Sequence, residues 1–253
     1  MSTGRTPIAA MTLVVLLLAG CASAATPAVP SSAEPPTGYL CGGVAIPAEA
    51  HAARVPLAQT SAETRRAFEV ATWDDGRGLG LLPDEGWALA HESPEAIALF
   101  RDAPGSTDPG TPERPAGNEV AVVIRAASVA GGGPEWFVSQ RSSCALQVDL
   151  GALGVPDVAL TSTPDPASQE VDLLVTERGC ASGRTAEGRI EVVDLEQDAD
   201  RVVVTLGVRP SPGAQDCQGH DATPFTLTLD EPLGSRPLLD AGYAEPRVVP
   251  TTG

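Results

Sequence analysis

Val202-Val203-Val204-Thr205-Leu206-Gly207-Val208 places an apolar side chain at every second position, with Val203 and Thr205 between them. Successive side chains of a strand point to opposite faces of a sheet, so this run predicts a strand that turns Val202, Val204, Leu206 and Val208 inward. Two more runs repeat the pattern. Val171, Leu173 and Val175 alternate with Asp172 and Thr176, and Phe225, Leu227 and Leu229 alternate with Thr226, Thr228 and Asp230. With turn clusters between them, these runs predict an antiparallel, β-sandwich-like lobe over 151–241. Phe225 and Tyr243 are the only aromatic residues in and beyond it, so its core is aliphatic. No helix is predicted there, and the tail 242–253 has no clear period.

The stretch 39–150 reads as a mixed α/β lobe, which makes the whole chain α+β and mainly β, with one or two short helices. Thr60 and Glu63 have capping-box spacing ahead of Ala67, Phe68, Ala71 and Thr72 on one helical face, predicting a helix over 61–71. Asp75-Gly76 marks a turn. Trp87, Leu89 and His91 alternate as in a strand, which would half-bury His91. Ser93-Pro94-Glu95 is placed to cap a second short helix running to Arg101. Val120, Val122 and Ile124 start another strand, Trp136 to Val138 read as extended, and Cys144, Leu146, Val148 and Leu150 share one inward face. Asp102 to Asn118, rich in Pro and Gly, reads as a long exposed loop. Trp73, Trp87 and Trp136 all fall in this lobe and read as core.

The N-terminus carries an address. Arg5 is a positive n-region, and Ile8 to Leu18 form an apolar run shorter than the roughly 20 residues that span a bilayer. Leu18-Ala19-Gly20-Cys21 resembles the bacterial lipobox. That resemblance implies a lipoprotein signal peptide over 1–20, cleavage before Cys21, and acyl chains such as palmitate on the Cys21 thiol. Two or more chains, at about 0.8 kcal/mol per buried methylene, hold a protein stably on a membrane. The alternative is an ordinary secretory signal with a cysteine at its cleavage site. Residues 21–38, rich in Pro, Ala and Ser, have the composition of a semi-rigid tether. The expected location is the cell membrane, facing outward.

Charge narrows the partners. The chain has 16 basic and 33 acidic residues, a net charge of −17. Loss of residues 1–20 removes Arg5 and takes the charge to −18. Such a surface repels nucleic acid and anionic headgroups, so the acyl chains on Cys21 must supply the membrane contact. All 16 basic residues are Arg, which excludes Schiff-base lysines, Ser-Lys dyads and the P-loop ammonium.

Besides Cys21 the chain has Cys41, Cys144, Cys180 and Cys217, an even set that suggests two disulfides in an exported protein, with three possible connectivities. Cys180 follows one strand and Cys217 lies in a loop between two others, which makes a local bridge easy. Cys41–Cys144 would then tie the start of the first lobe to its last strand. The C-terminal segment is similar to uncharacterised lipoproteins of GC-rich Gram-positive bacteria in Cys180-Ala-Ser-Gly183, Glu187-Gly-Arg189, Val208-Arg-Pro210, Cys217, Thr223-Pro224, Glu231-Pro-Leu-Gly-Ser-Arg236 and Leu239-Asp240. The resemblance implies an exported location and supports the second disulfide; it carries no activity or cofactor.

Catalytic patterns are fragmentary. Cys217-Gln-Gly-His220 has metal-ligand spacing, but of the two further ligands zinc would want only Cys180 qualifies, and an oxidising compartment favours its disulfide. His91-Glu-Ser-Pro-Glu95 departs from H-E-x-x-H at its last residue, and Pro94 interrupts the required helix. Gly183 to Ile190 has P-loop spacing with Arg189 and Ile190 in place of Lys and Ser/Thr. Asp194, Glu196, Asp198 and Asp200 alternate in what reads as a turn and are weak candidates for a hard cation. There is no G-x-S-x-G, His51, His91 and His220 lack a serine context, and adjacent His220-Asp221 are poorly placed for a triad. Paired-carboxylate chemistry has many acids to draw on but few aromatic platforms among the chain's 9 aromatic residues. The expected function is a non-catalytic binding or structural surface module with an unidentified protein or envelope partner and no cofactor. The alternatives are a small exported hydrolase and a solute-binding or sensory lipoprotein.

Overall fold

A computed structural model describes residues 37–79, 86–105, 116–125 and 135–252. The signal segment, Cys21 and the tether to residue 36 lie outside them, as do residues 106–115 of the long loop. The fold is mainly β.

The chain opens with β1 (Gly38–Cys41) and β2 (Val44–Pro47), then α1 (Ala48–Ala53), a 3-10 turn at Leu57–Gln59, and α2 (Ala62–Val70). Strong helix-forming alanines build α1, which no sequence pattern singled out. The predicted helix over 61–71 is present as α2, with its cap one residue later than the capping-box spacing suggested. Ser61 Oγ accepts from the Thr64 amide at 3.0 Å, while the Thr60 hydroxyl donates to the Leu57 carbonyl.

Next come β3 (Ala88–Glu92), β4 (Ala96–Ala103), β5 (Gly117–Arg125) and β6 (Trp136–Cys144), a four-stranded antiparallel meander. The second predicted helix, from Ser93 to Arg101, is instead the strand β4. Ser93 closes the tight turn from β3, its amide donating to the Ala96 carbonyl and its Oγ accepting from the Ala96 amide. Ile97 and Leu99 pack toward α2 with Phe68, Trp87 and Trp136, while Ala98 and Phe100 pack on the other face with Cys41, Ile46 and Leu146. A strand covered on both faces shows a continuous apolar run, which periodicity cannot tell from a buried helix.

Two bulges shift the expected faces. One between Leu89 and His91 leaves Ala90 buried and His91 exposed, against the half-buried position its alternation suggested. The other, between Val122 and Val123, buries Val123 and exposes Ile124. The Cys144-to-Leu150 face is likewise interrupted. β6 ends at Cys144, and β7 is only Gln147–Val148, paired with β1; Leu146 is buried, but Cys144, Val148 and Leu150 are half-buried.

The second lobe contains β8 (Asp157–Leu160), β9 (Glu170–Thr176), β10 (Ile190–Gln197), β11 (Val202–Val208), β12 (Thr223–Thr228), β13 (Leu238–Asp240) and β14 (Arg247–Val248). Sheet β12-β9-β8 faces sheet β10-β11-β13-β14, with β13 running parallel to β11. The inward rows are those predicted: Val171, Leu173 and Val175 meet Val202, Val204, Leu206, Val208 and Leu227 in one aliphatic core. β8, β10 and β13 carry no clean alternation, and β10 takes in Asp194 and Glu196, which had read as a turn.

The aperiodic tail is a structural strap. β14 pairs with β13, Val249 is buried in the sandwich core, and the Leu160 amide donates to the Pro250 carbonyl beside β8. One extended segment therefore leaves the edge of one sheet and caps the edge of the other.

Candidate functional site

Residues 240–247 tie the two lobes together. The Ala241 amide donates to Val204, the Val148 amide to Gly242, and the Ala244 amide to Leu146, each bond about 2.9–3.0 Å long. Glycine at 242 is required by close approach, since a Cβ there would lie 2.7 Å from a Val155 methyl. This crossing positions Tyr243, a residue 4% exposed.

Around Tyr243 the titratable groups are held by one another. Its hydroxyl donates to Asp157 Oδ1 at 3.2 Å and accepts from Arg178 at 3.3 Å, and Arg178 pairs with Asp157 at 3.1 Å. Arg247, in the edge strand β14, lies over the Tyr243 ring face. Asp240 is 7% exposed, and its Oδ1 accepts from the Gly242 amide at 2.9 Å. Burial pushes the Asp240 carboxyl above the usual carboxylate range, helped by the negative Asp157 and opposed by Gly242 and Arg247.

Asp157, Asp240, Tyr243 and Arg247 border a cleft of about 460 Å³ between the strap and the outer face of β8 and β9. Ala159, Leu174 and Val248 give it an apolar wall, with Val248 67% exposed. Its size falls in the range of small-ligand sites. Tyr243 also borders two neighbouring clefts. One, of about 610 Å³, includes Asp194 and Glu196; the other, of about 580 Å³, includes Arg54 and Asp102.

The cysteines form Cys41–Cys144 and Cys180–Cys217, with Cα separations of 5.4 and 4.4 Å. Cys217 is therefore not a zinc ligand. His220 faces the backbone carbonyls of Glu177 and Asp221 instead, so its ring does not address the Asp221 carboxylate. His51 lies against Tyr39 and Phe100, and burial, reinforced by Arg54, holds its imidazole below the ordinary value. Among the described residues no histidine is hydrogen-bonded to a serine or threonine hydroxyl. The Gly183–Ile190 segment runs into the strand β10, whereas a phosphate loop opens a helix. Asp194 and Glu196 lie on β10 and Asp198 and Asp200 in the turn after it, and no three His, Cys, Asp or Glu residues among the described residues cluster as metal ligands.

Sequence reasoning missed Asp157, Arg178 and Arg247, which carry no motif. Tyr243 and Asp240 left faint signals, one as a rare aromatic and the other within the Leu239-Asp240 pair. Compared with known proteins, the chain matches no protein-family model, no curated protein and no solved structure.

Proposed function

We propose that this chain is a lipid-anchored, outward-facing, non-catalytic binding module of the cell envelope, and that it receives its ligand in the cleft beside Tyr243. The observation that carries the reading is the make-up of that cleft. An apolar wall, half-buried at Ala159 and Leu174 and exposed at Val248, adjoins the Asp157–Arg178–Tyr243 network, an arrangement suited to holding a ligand. A strap hydrogen-bonded to both sheets holds the walls, which lowers the ordering cost of binding. The −17 charge and the lipobox resemblance support a membrane contact made through Cys21 rather than through the protein surface.

Two measurements test this. Membrane fractionation of the full chain against Cys21→Ala should show the variant released; equal retention would refute the anchor. A photoreactive residue at Val248, compared on intact cells with one at exposed Arg66, should give adducts specific to the cleft. The same adduct pattern from both positions would refute the binding face.

A further inference from the structure

The cleft beside Tyr243 also indicates what it selects. Asp240 is a largely buried carboxylate that accepts from the Gly242 amide at Oδ1, while its Oδ2 accepts no hydrogen bond among the described residues and keeps access to solvent at the cleft. A carboxylate so largely shielded from water gains from a cation that meets its one accessible oxygen. Beside it the Arg247 guanidinium lies over the Tyr243 ring, 3.1 Å from its centroid, and joins no ion pair among the described residues. Ring face and buried carboxylate are the two elements that attract a flat cation, one through the ring quadrupole and the other through charge and paired acceptors. Ala159, Leu174 and Val248 offer an apolar surface to the methylene stem such a cation would carry.

We propose that this cleft is a recognition site for an alkyl guanidinium, with Arg247 of the chain's own strap as the internal occupant that the ligand displaces. The guanidinium leaves water and stacks on Tyr243 shifted toward Asp240, within reach of the Oδ2 that Arg247 itself does not pair with, while Arg247 swings toward solvent from the exposed β14 edge. A guanidinium is favoured over an ammonium because only the planar group stacks on the ring and presents a donor fork to a carboxylate. This inference rests on the reading of the cleft as the binding face.

The test is calorimetric titration of the detergent-solubilised full-length lipoprotein. The probes are n-butylguanidine, n-butylamine and a blocked pentapeptide with one central arginine. Arg247→Ala, or Arg247→Gln should the alanine variant fold poorly, is expected to bind butylguanidine at least tenfold more tightly than the parent. Adding Asp240→Asn is expected to lose at least tenfold, and butylamine to bind at least tenfold more weakly than butylguanidine. Tighter binding of the peptide assigns the ligand to a partner's arginine side chain, and tighter binding of butylguanidine assigns it to a small free guanidine. No heat from either guanidinium probe in the Arg247 variants, equal binding by butylamine, or indifference to Asp240→Asn would overturn the proposal. Persistence of the Val248-specific adducts in that event would leave the binding module standing and remove only the guanidinium.

Discussion

Arg189→Met should be among the most damaging single substitutions outside the hydrophobic core. Arg189 donates to both Glu177 oxygens, one of them at 2.9 Å, and to the carbonyls of Thr185 and Arg209. The pair is largely shielded, with side-chain exposures of 16% for Arg189 and 7% for Glu177. It sits where β9 leaves one sheet and the chain returns as β10 in the other, so it holds the crossing that also carries Cys180. Removing one member of a buried ion pair costs about 3–5 kcal/mol, because the remaining charge is left without water or partner. Arg189→Met should therefore lower unfolding free energy by that amount, equivalent to roughly 6–20 °C in Tm at about 2–4 °C per kcal/mol for a domain of this size. Arg189→Lys keeps the charge and loses the fork, and should cost about 1.5–3 kcal/mol. Glu177→Met combined with Arg189→Met removes both charges and should return to within about 1 kcal/mol of the parent. The assay is urea unfolding with disulfides intact, followed by far-UV circular dichroism, since Trp73, Trp87 and Trp136 all report on the first lobe. If the double variant is as unstable as Arg189→Met, the loss comes from packing and the orphaned-charge argument fails.

Three further outcomes are expected. Removing Cys41–Cys144, which closes 103 residues, should cost about 4.7 kcal/mol on the loop-entropy relation, and removing Cys180–Cys217, which closes 37, about 3.8 kcal/mol; urea midpoints of the paired alanine variants check the order, and a reversed ranking would count against it. Gly242→Ala should destabilise by about 1–3 kcal/mol through its clash with Val155 and displacement of Asp240, read as a lower thermal midpoint, whereas an unchanged midpoint would mean the lobes tolerate a looser crossing. Asp240 has its folded-state carboxyl raised above the ordinary aspartate value of about 3.9, so in the window between them the native state binds more protons than the unfolded chain and stability falls as pH rises. Asp240→Asn should remove that decline, and a stability–pH curve with the parent's slope would refute it.

Legibility followed the range of the interactions involved. The inward rows of β9, β11 and β12 were readable because alternation against one buried face is a local property. α2 was readable from its stripe, and its cap moved by one residue because both Thr60 and Ser61 are competent capping types. β4 was misread because Ala96 to Phe100 is apolar on both faces, and only the layers covering it decide between strand and helix. His91 and Ile124 changed faces because each bulge depends on the opposing strand, which the sequence of one strand does not contain. The site was nearly silent, since Asp157, Arg178, Asp240, Tyr243 and Arg247 are ordinary residues spread over 91 positions of chain.

By itself, then, the sequence determined the mainly β character, the aliphatic sandwich core and an even cysteine set suited to two bridges. Those properties depend on composition and on spacing over a few residues. Which cysteines pair, where the bulges fall, and that an aperiodic tail closes both sheets and carries Tyr243 between the lobes were decided only by the tertiary structure. Each of these depends on backbone hydrogen bonds and contacts between segments distant in the chain, whose partners become neighbours only when it folds.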